Sequence, residues 1–305
     1  MAEAYYRIPV EGHPRPQQRA NPRPDQRLSV DDHSRDAAGL KYVYPVVSRR
    51  SGGVSVGINL NPNNACNWAC AYCQVEGLVR GAAPPIELER LARELEGFLE
   101  LAMTEAWMRD HAPEGSRRIT DLALSGNGEP TTCGEFEAVI TLLGEVRARR
   151  GLDVPTVLIT NGSRIHLPEV QAGLRRMASL AGEVWFKLDR ATPTGRGEVN
   201  RVQGGADRVA DQLQRAASCC ATRIQSCMYT VDGAPPGEVE LEAYVHFLRE
   251  QVRRGTPLKG VTLYGLARPS MQPGAERLGR VDGEWLDALA DRVRGATGLP
   301  VAAHP

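Results

Sequence analysis

The chain has 305 residues, 37 basic and 37 acidic, so its formal net charge is zero; 42% of residues are hydrophobic and 24% charged. That balance excludes wholesale disorder and argues against binding nucleic acid by bulk electrostatics, leaving only a local basic patch open. No run of about 18 apolar residues predicts a membrane span, no secretory signal pattern opens the chain, and an odd count of seven cysteines does not suit a disulfide framework; a cytoplasmic location is expected.

Residues 1–50 are rich in Pro, Arg, Gln and Asp and show no apolar period. They read as an irregular N-terminal extension, an arm lying on the body or touching a substrate or partner. From Gly53 onward strand-like and helix-like patterns alternate. Strands are predicted over 53–60, 119–125, 155–160, 184–189, 222–229 and 260–266. Helices are predicted over 86–109, 134–149, 167–178, 205–218, 239–253 and 283–296. The first helix opens with Pro and repeats apolar residues every three or four positions. Alternation of this kind implies parallel β-α units with right-handed crossovers. The fold class is therefore α/β: a partial (β/α)6 TIM-type barrel over 51–275, with the N-terminal extension and a C-terminal helical segment over 276–305. A doubly wound sheet is the alternative.

The strands carry a second signal. Val54, Val56, Ile58 and Leu60 share one face of the first, and Ser55, Gly57 and Asn59 the other. Trp185, Lys187 and Asp189 oppose Val184, Phe186 and Leu188; Arg223, Gln225, Cys227 and Tyr229 oppose Ile224, Ser226 and Met228. A strand buried on both sides should be continuously apolar. One polar face per strand fits a barrel packed on helices outside and holding a polar ligand inside.

The strongest motif is Cys66-Asn-Trp-Ala-Cys70-Ala-Tyr-Cys73, directly after the first strand. Three thiolates in so short a loop can converge on one metal centre. A structural zinc would want four ligands, and no fourth Cys or His stands at a zinc-like spacing. An iron–sulfur cluster with three protein ligands would keep one iron open. Of the only three lysines, Lys41, Lys187 and Lys259, the second falls on a polar strand face. The six histidines form no metal-binding pattern.

This cysteine spacing, with Tyr72 just before the last thiol, resembles the radical S-adenosylmethionine (radical SAM) superfamily. The set CNWACAYC, GEPT, TNG and FKLD is most similar to its iron–sulfur oxidoreductase branch, which includes wyosine-forming tRNA enzymes. The resemblance covers roughly residues 53–268. It implies that Cys66, Cys70 and Cys73 hold a [4Fe-4S] cluster whose fourth iron binds the amino and carboxylate groups of SAM. It also implies that Tyr72 approaches the adenine, largely through its backbone. Gly126, Asn127, Gly128, Glu129 and Pro130 stand where the family has a Gly-Gly-Glu-type motif on the SAM amino group, with Asn127 in place of the first glycine of the pair. Read alone, that loop is a turn.

Asn161 ends the third strand as a SAM or substrate contact or as part of an Asn-Gly turn. Lys187 and Asp189 match a pair that some relatives use on the SAM carboxylate and ribose; a structural ion pair is the rival reading. Gln225 lines the same interior. Asn200-Arg201 is a family-like pair or a surface loop, and Tyr264 and Arg268 reach towards adenine or substrate. Cys133 or Cys227 is a candidate substrate-side thiol. The activity implied is reductive cleavage of SAM to a 5′-deoxyadenosyl radical that abstracts hydrogen from a small-molecule or peptide substrate, with an electron donor such as flavodoxin or ferredoxin and no membrane partner. Modification of tRNA, activation of a glycyl-radical enzyme and a non-catalytic electron carrier are the alternatives; nucleic acid is not favoured, because no basic tract is present.

Overall fold

The computed structural model describes residues 27–29, 38–48 and 50–305. The rest of the N-terminal extension, and with it the idea of an arm on a substrate, lies outside the described residues. In chain order the elements are β1 (Val43–Ser48), β2 (Gly53–Asn59), β3 (Ala65–Cys66), β4 (Val79–Arg80), α1 (Leu88–Ala102), α2 (Glu105–His111), β5 (Ile119–Ser125), α3 (Phe136–Arg150), β6 (Thr156–Thr160), α4 (Pro168–Ala178), β7 (Glu183–Lys187), α5 (Pro193–Asn200), α6 (Ala206–Cys219), β8 (Ala221–Val231), α7 (Glu238–Arg253), β9 (Leu258–Gly265), β10 (Leu278–Arg280), α8 (Gly283–Thr297) and β11 (Val301–His304).

The main sheet runs β1-β2-β5-β6-β7-β8-β9-β11, so strand order follows chain order. Every neighbour from β2 to β11 is parallel, and β1 is antiparallel to β2. A parallel sheet needs a crossover after each strand, and the helices provide it. The result is the α/β partial TIM-type barrel, open between β1 and β11. All six expected strands are present. Its outer face is the apolar one: Val56, Ile58, Leu122, Leu158, Val184, Phe186, Ile224 and Val261 share one core with Leu91, Leu95 and Leu99 of α1, Leu143 of α3, Leu174 of α4, Leu213 of α6 and Leu248 of α7. Each such side chain contributes about 1.5–3 kcal/mol by leaving water.

Several elements differ from the sequence reading. The helix expected over 86–109 is two, because Thr104 leaves helical geometry and its side chain caps Trp107 N. β1 lies inside the stretch read as irregular, and Tyr44 from it lies across Gly57, where an added Cβ would sit 2.2 Å from the ring. α5 forms despite two glycines because Thr192 caps it and Pro193 occupies its first turn. β11 adds a seventh parallel strand beside β9 after α8. Among the described residues no helix is long and apolar enough to cross a membrane.

Candidate functional site

A cavity of about 290 Å³ opens at the carboxyl ends of the parallel strands and continues into the barrel interior. Cys66, Cys70, Cys73, Gly126, Asn127, Gly128, Glu129, Asn161, Lys187 and Gln225 all line it, as do Tyr72, Cys227, Tyr264 and Arg268. The strand alternation read from the sequence thus puts the polar faces inside.

The cysteine loop is anchored from three sides. β3 pairs with β4. Ala71 N donates to Val199 O of α5 at 2.7 Å, and the Arg80 guanidinium donates to Asn67 O and Arg201 O at 2.5 and 2.7 Å. On the far side Ser270 Oγ donates to Ala71 O at 2.7 Å, and Met271 N to Cys73 O at 2.9 Å. Cys66 Sγ accepts from Trp68 N, and Cys70 Sγ from Asn200 Nδ2 at 3.3 Å. Burial pushes the Cys66 thiol up to about 12 and the Cys70 thiol to about 11, the latter against the pull of Lys187.

Beside the loop lies a buried network from three elements. Asp189 Oδ2 accepts from Tyr72 Oη at 2.5 Å and from Asn200 Nδ2 at 2.7 Å, while Oδ1 accepts from Cys227 N at 2.9 Å. Lys187 Nζ donates to Tyr72 Oη at 2.5 Å and stands 3.9 Å from Asp189 Oδ2. Burial alone would pull the Lys187 ammonium down, but the surrounding charges, Asp189 foremost, hold it well above its usual value. Burial and the Asp189 charge together raise Tyr72.

Glu129 is the second buried anchor, 2% exposed. Its Oε1 accepts from Thr131 N, Thr131 Oγ1 and Thr160 Oγ1, and its Oε2 from Asn161 N at 2.7 Å. The carboxylate therefore ties the loop after β5 to the end of β6. Burial raises its pKa although all four donors pull it back. The glycines before it are required by contact: a Cβ on Gly128 would stand 2.0 Å from Ala65 O, and Gly126, at φ +138°, would meet Asn59 Oδ1 at 2.5 Å.

No family model matches the chain. A UPF0026 protein of Synechocystis is 24% identical over 279 residues, 86% of this chain and 96% of that relative. SuiB of Streptococcus suis, in complex with precursor peptide SuiA, superposes at a TM-score of 0.55 with 17% identity, over 84% of this chain and 49% of its own, so the chain spans about half of SuiB. A radical SAM methyltransferase from Sphaerobacter thermophilus superposes at 0.53 with 15% identity, over 86% and 69%. This chain shares its fold with these structures, a radical SAM methyltransferase among them.

In this barrel all three motif thiols and the other expected site residues line one cavity, except Pro130, Cys133, Asp189, Asn200 and Arg201. Pro130 is buried in the turn after Glu129, and Asp189 stands behind Tyr72. Asn200, read as a family pair or a loop, is buried on Asp189 and Cys70, whereas Arg201 is exposed. Cys227 lines the cavity, but Cys133 belongs to the core on the helix side, against Glu135. Among the described residues no three His, Cys, Asp or Glu side chains gather around a single-ion point.

Ser55 and Trp185, read onto the inward strand faces, line the cavity, whereas Tyr44, Trp68, Asp121 and Ser125 were missed as lining residues. Asp121 and Ser125 were within reach of the same rule: in Ile119–Ser125 they share the inward face with Ala123. Two buried oxygens at the cavity, Asn127 Oδ1 and Gln225 Oε1, have no hydrogen-bond donor among the described residues.

Proposed function

We propose that this chain is a radical SAM enzyme in which Cys66, Cys70 and Cys73 hold a [4Fe-4S] cluster, and in which the adjoining cavity takes SAM and a small-molecule or peptide substrate. The observation that carries the reading is the meeting of three thiols, the Gly126–Glu129 loop and Lys187 in one cavity at the carboxyl ends of the barrel strands. The donor set suits a cubane: three thiolates, each taking its own iron around a rim, leave one iron for a small ligand. When bound, the cluster supplies an electron for reductive cleavage of SAM, and the resulting 5′-deoxyadenosyl radical takes a hydrogen atom from the substrate.

The chain's own groups bind and orient. Asn127 Oδ1 and Gln225 Oε1 are buried acceptors, and the ammonium, hydroxyl and amine groups of SAM are donors. Lys187 brings positive charge for a carboxylate. Tyr72 Oη is committed to Asp189 and Lys187, which leaves its backbone for the adenine. Glu129 holds Asn161 and the glycine loop in register, and Asn200 orients Cys70. A flavodoxin or ferredoxin is the proposed electron donor.

The test is anaerobic purification, assay of iron and sulfide, reduction with dithionite and incubation with SAM. Cluster content together with 5′-deoxyadenosine is the expected result. A full cluster with intact SAM would make the chain an electron carrier, and bound zinc or no metal would overturn the reading altogether.

A further inference from the structure

The inner half of the cavity has a different chemistry from its mouth. Asp121 on β5 is buried, 5% exposed, and lines this inner part. It lies four residues before Ser125, about 13 Å down the strand from the loop that carries Gly126 and Glu129.

The partners of Asp121 are hydroxyls. Ser55 Oγ, its register neighbour on β2, donates to Oδ1, and Thr120 Oγ1 donates to Oδ2 at 3.0 Å. Among the described residues no Lys, Arg or His stands within ion-pair distance of it. Of the other basic side chains that line the cavity, Lys187 donates to Tyr72, Arg50 lies over the rings of Trp185 and Tyr264 at 5.0 and 5.3 Å, and Arg268 and His304 stand at the carboxyl ends of β9 and β11. A carboxylate held among hydroxyls in a closed interior takes a cation as its natural partner. Aliphatic side chains form one part of the wall beside Asp121 and towards the mouth, alongside Tyr44 of β1 and Trp185 of β7. Ala123 is two residues further along β5, Val157 is its register partner, Val46 is the register partner of Ser55, and Ile159 follows Val157; all four line the cavity.

We infer that Asp121 binds the cationic end of the substrate, a primary ammonium or guanidinium carried on an aliphatic stem that lies against Val46, Ala123, Val157 and Ile159. This deepens the function proposed above and rests on it for the end of the cavity that SAM takes. The stem then spans the distance between the anchored cation and the cofactor, so that carbons well away from the charge are the ones presented for hydrogen abstraction.

The test is calorimetric titration of the full-length, cluster-loaded protein with n-pentylamine, n-pentylguanidine, n-pentanol and pentanoate. The amine and the guanidine saturate one site, and the alcohol and the acid do not. Asp121→Asn weakens amine binding at least ~10-fold, the loss of a charge-assisted contact. Equal binding of amine and alcohol, no binding of either cation, or full amine affinity in folded Asp121→Asn would overturn the assignment. The amine–alcohol comparison needs no variant, so it decides even if Asp121→Asn does not fold. A protein that binds the amine but leaves SAM intact loses the function above and keeps this site. One that cleaves SAM and binds no cation loses this site alone.

Discussion

Asp189 receives three hydrogen bonds and a nearby ammonium while its side chain is wholly buried. Removing one member of such a group leaves the others desolvated and unpaired. Asp189→Ala should cost about 3 kcal/mol in urea unfolding, and the loss of Asn200's partner should loosen Cys70 and, if the proposed cluster is bound, reduce iron content with it. At Glu129 the sign of the pH dependence follows from its raised pKa. A carboxyl whose folded value exceeds its unfolded one contributes stability below the ordinary carboxylate range and loses it as pH rises through the raised value. Glu129→Gln cannot titrate. The stability of wild type relative to this variant should therefore be greater at acid pH than near neutrality, read from urea midpoints at both. A pH-independent difference would mean that the donors from Thr131, Thr160 and Asn161 cancel the burial.

Two helix starts matter at the level of elements. Thr104 is what divides α1 from α2, and Thr104→Ala should cost about 1 kcal/mol in thermal unfolding. The turn before α5 is held from α7: Glu240 Oε1 accepts from Ala191 N at 2.6 Å and Thr192 N at 3.2 Å, and Oε2 accepts from Thr192 Oγ1. α5 in turn presents Val199 O and Asn200 to the cysteine loop. Glu240→Ala should therefore destabilise the protein by about 2 kcal/mol and, if the proposed cluster is bound, also lower its occupancy, measured as iron per chain, although Glu240 lies outside the cavity lining. Normal iron content in that variant would show that α5 is placed by its apolar contacts alone. The split of the 86–109 helix and the existence of α5 were both written in local cap residues, Thr104 and Thr192-Pro193. An apolar period running through the first and two glycines in the second masked them.

At the scale of the whole molecule, a group that binds only the folded chain stabilises it by mass action. If the three thiols hold a cluster, chelating the iron should lower the melting temperature and expose Cys66, Cys70 and Cys73 together to alkylation; a melting temperature indifferent to chelation would count against that ligand set. The barrel was legible in the chain because its two periods are local: strands that alternate polar and apolar residues, and helices between them, leave few ways to bury the apolar faces, and the polar faces of β2, β7 and β8 then point inward. The cysteine motif was legible because its ligands are close in sequence. The closing strand β11, the edge strand β1 and the shared roles of Asp189, Asn200 and Asp121 were not. Val-Ala-Ala-His has little strand preference of its own and becomes a strand only because β9 offers it a parallel edge. Asn200 reaches Cys70 across 130 positions, and Ser55 reaches Asp121 across 66. Residue order alone determined which face of each strand is polar and where the thiols stand. Only the curvature of the finished sheet decided which distant polar groups meet, because a hydrogen bond depends on separation in space and not along the chain.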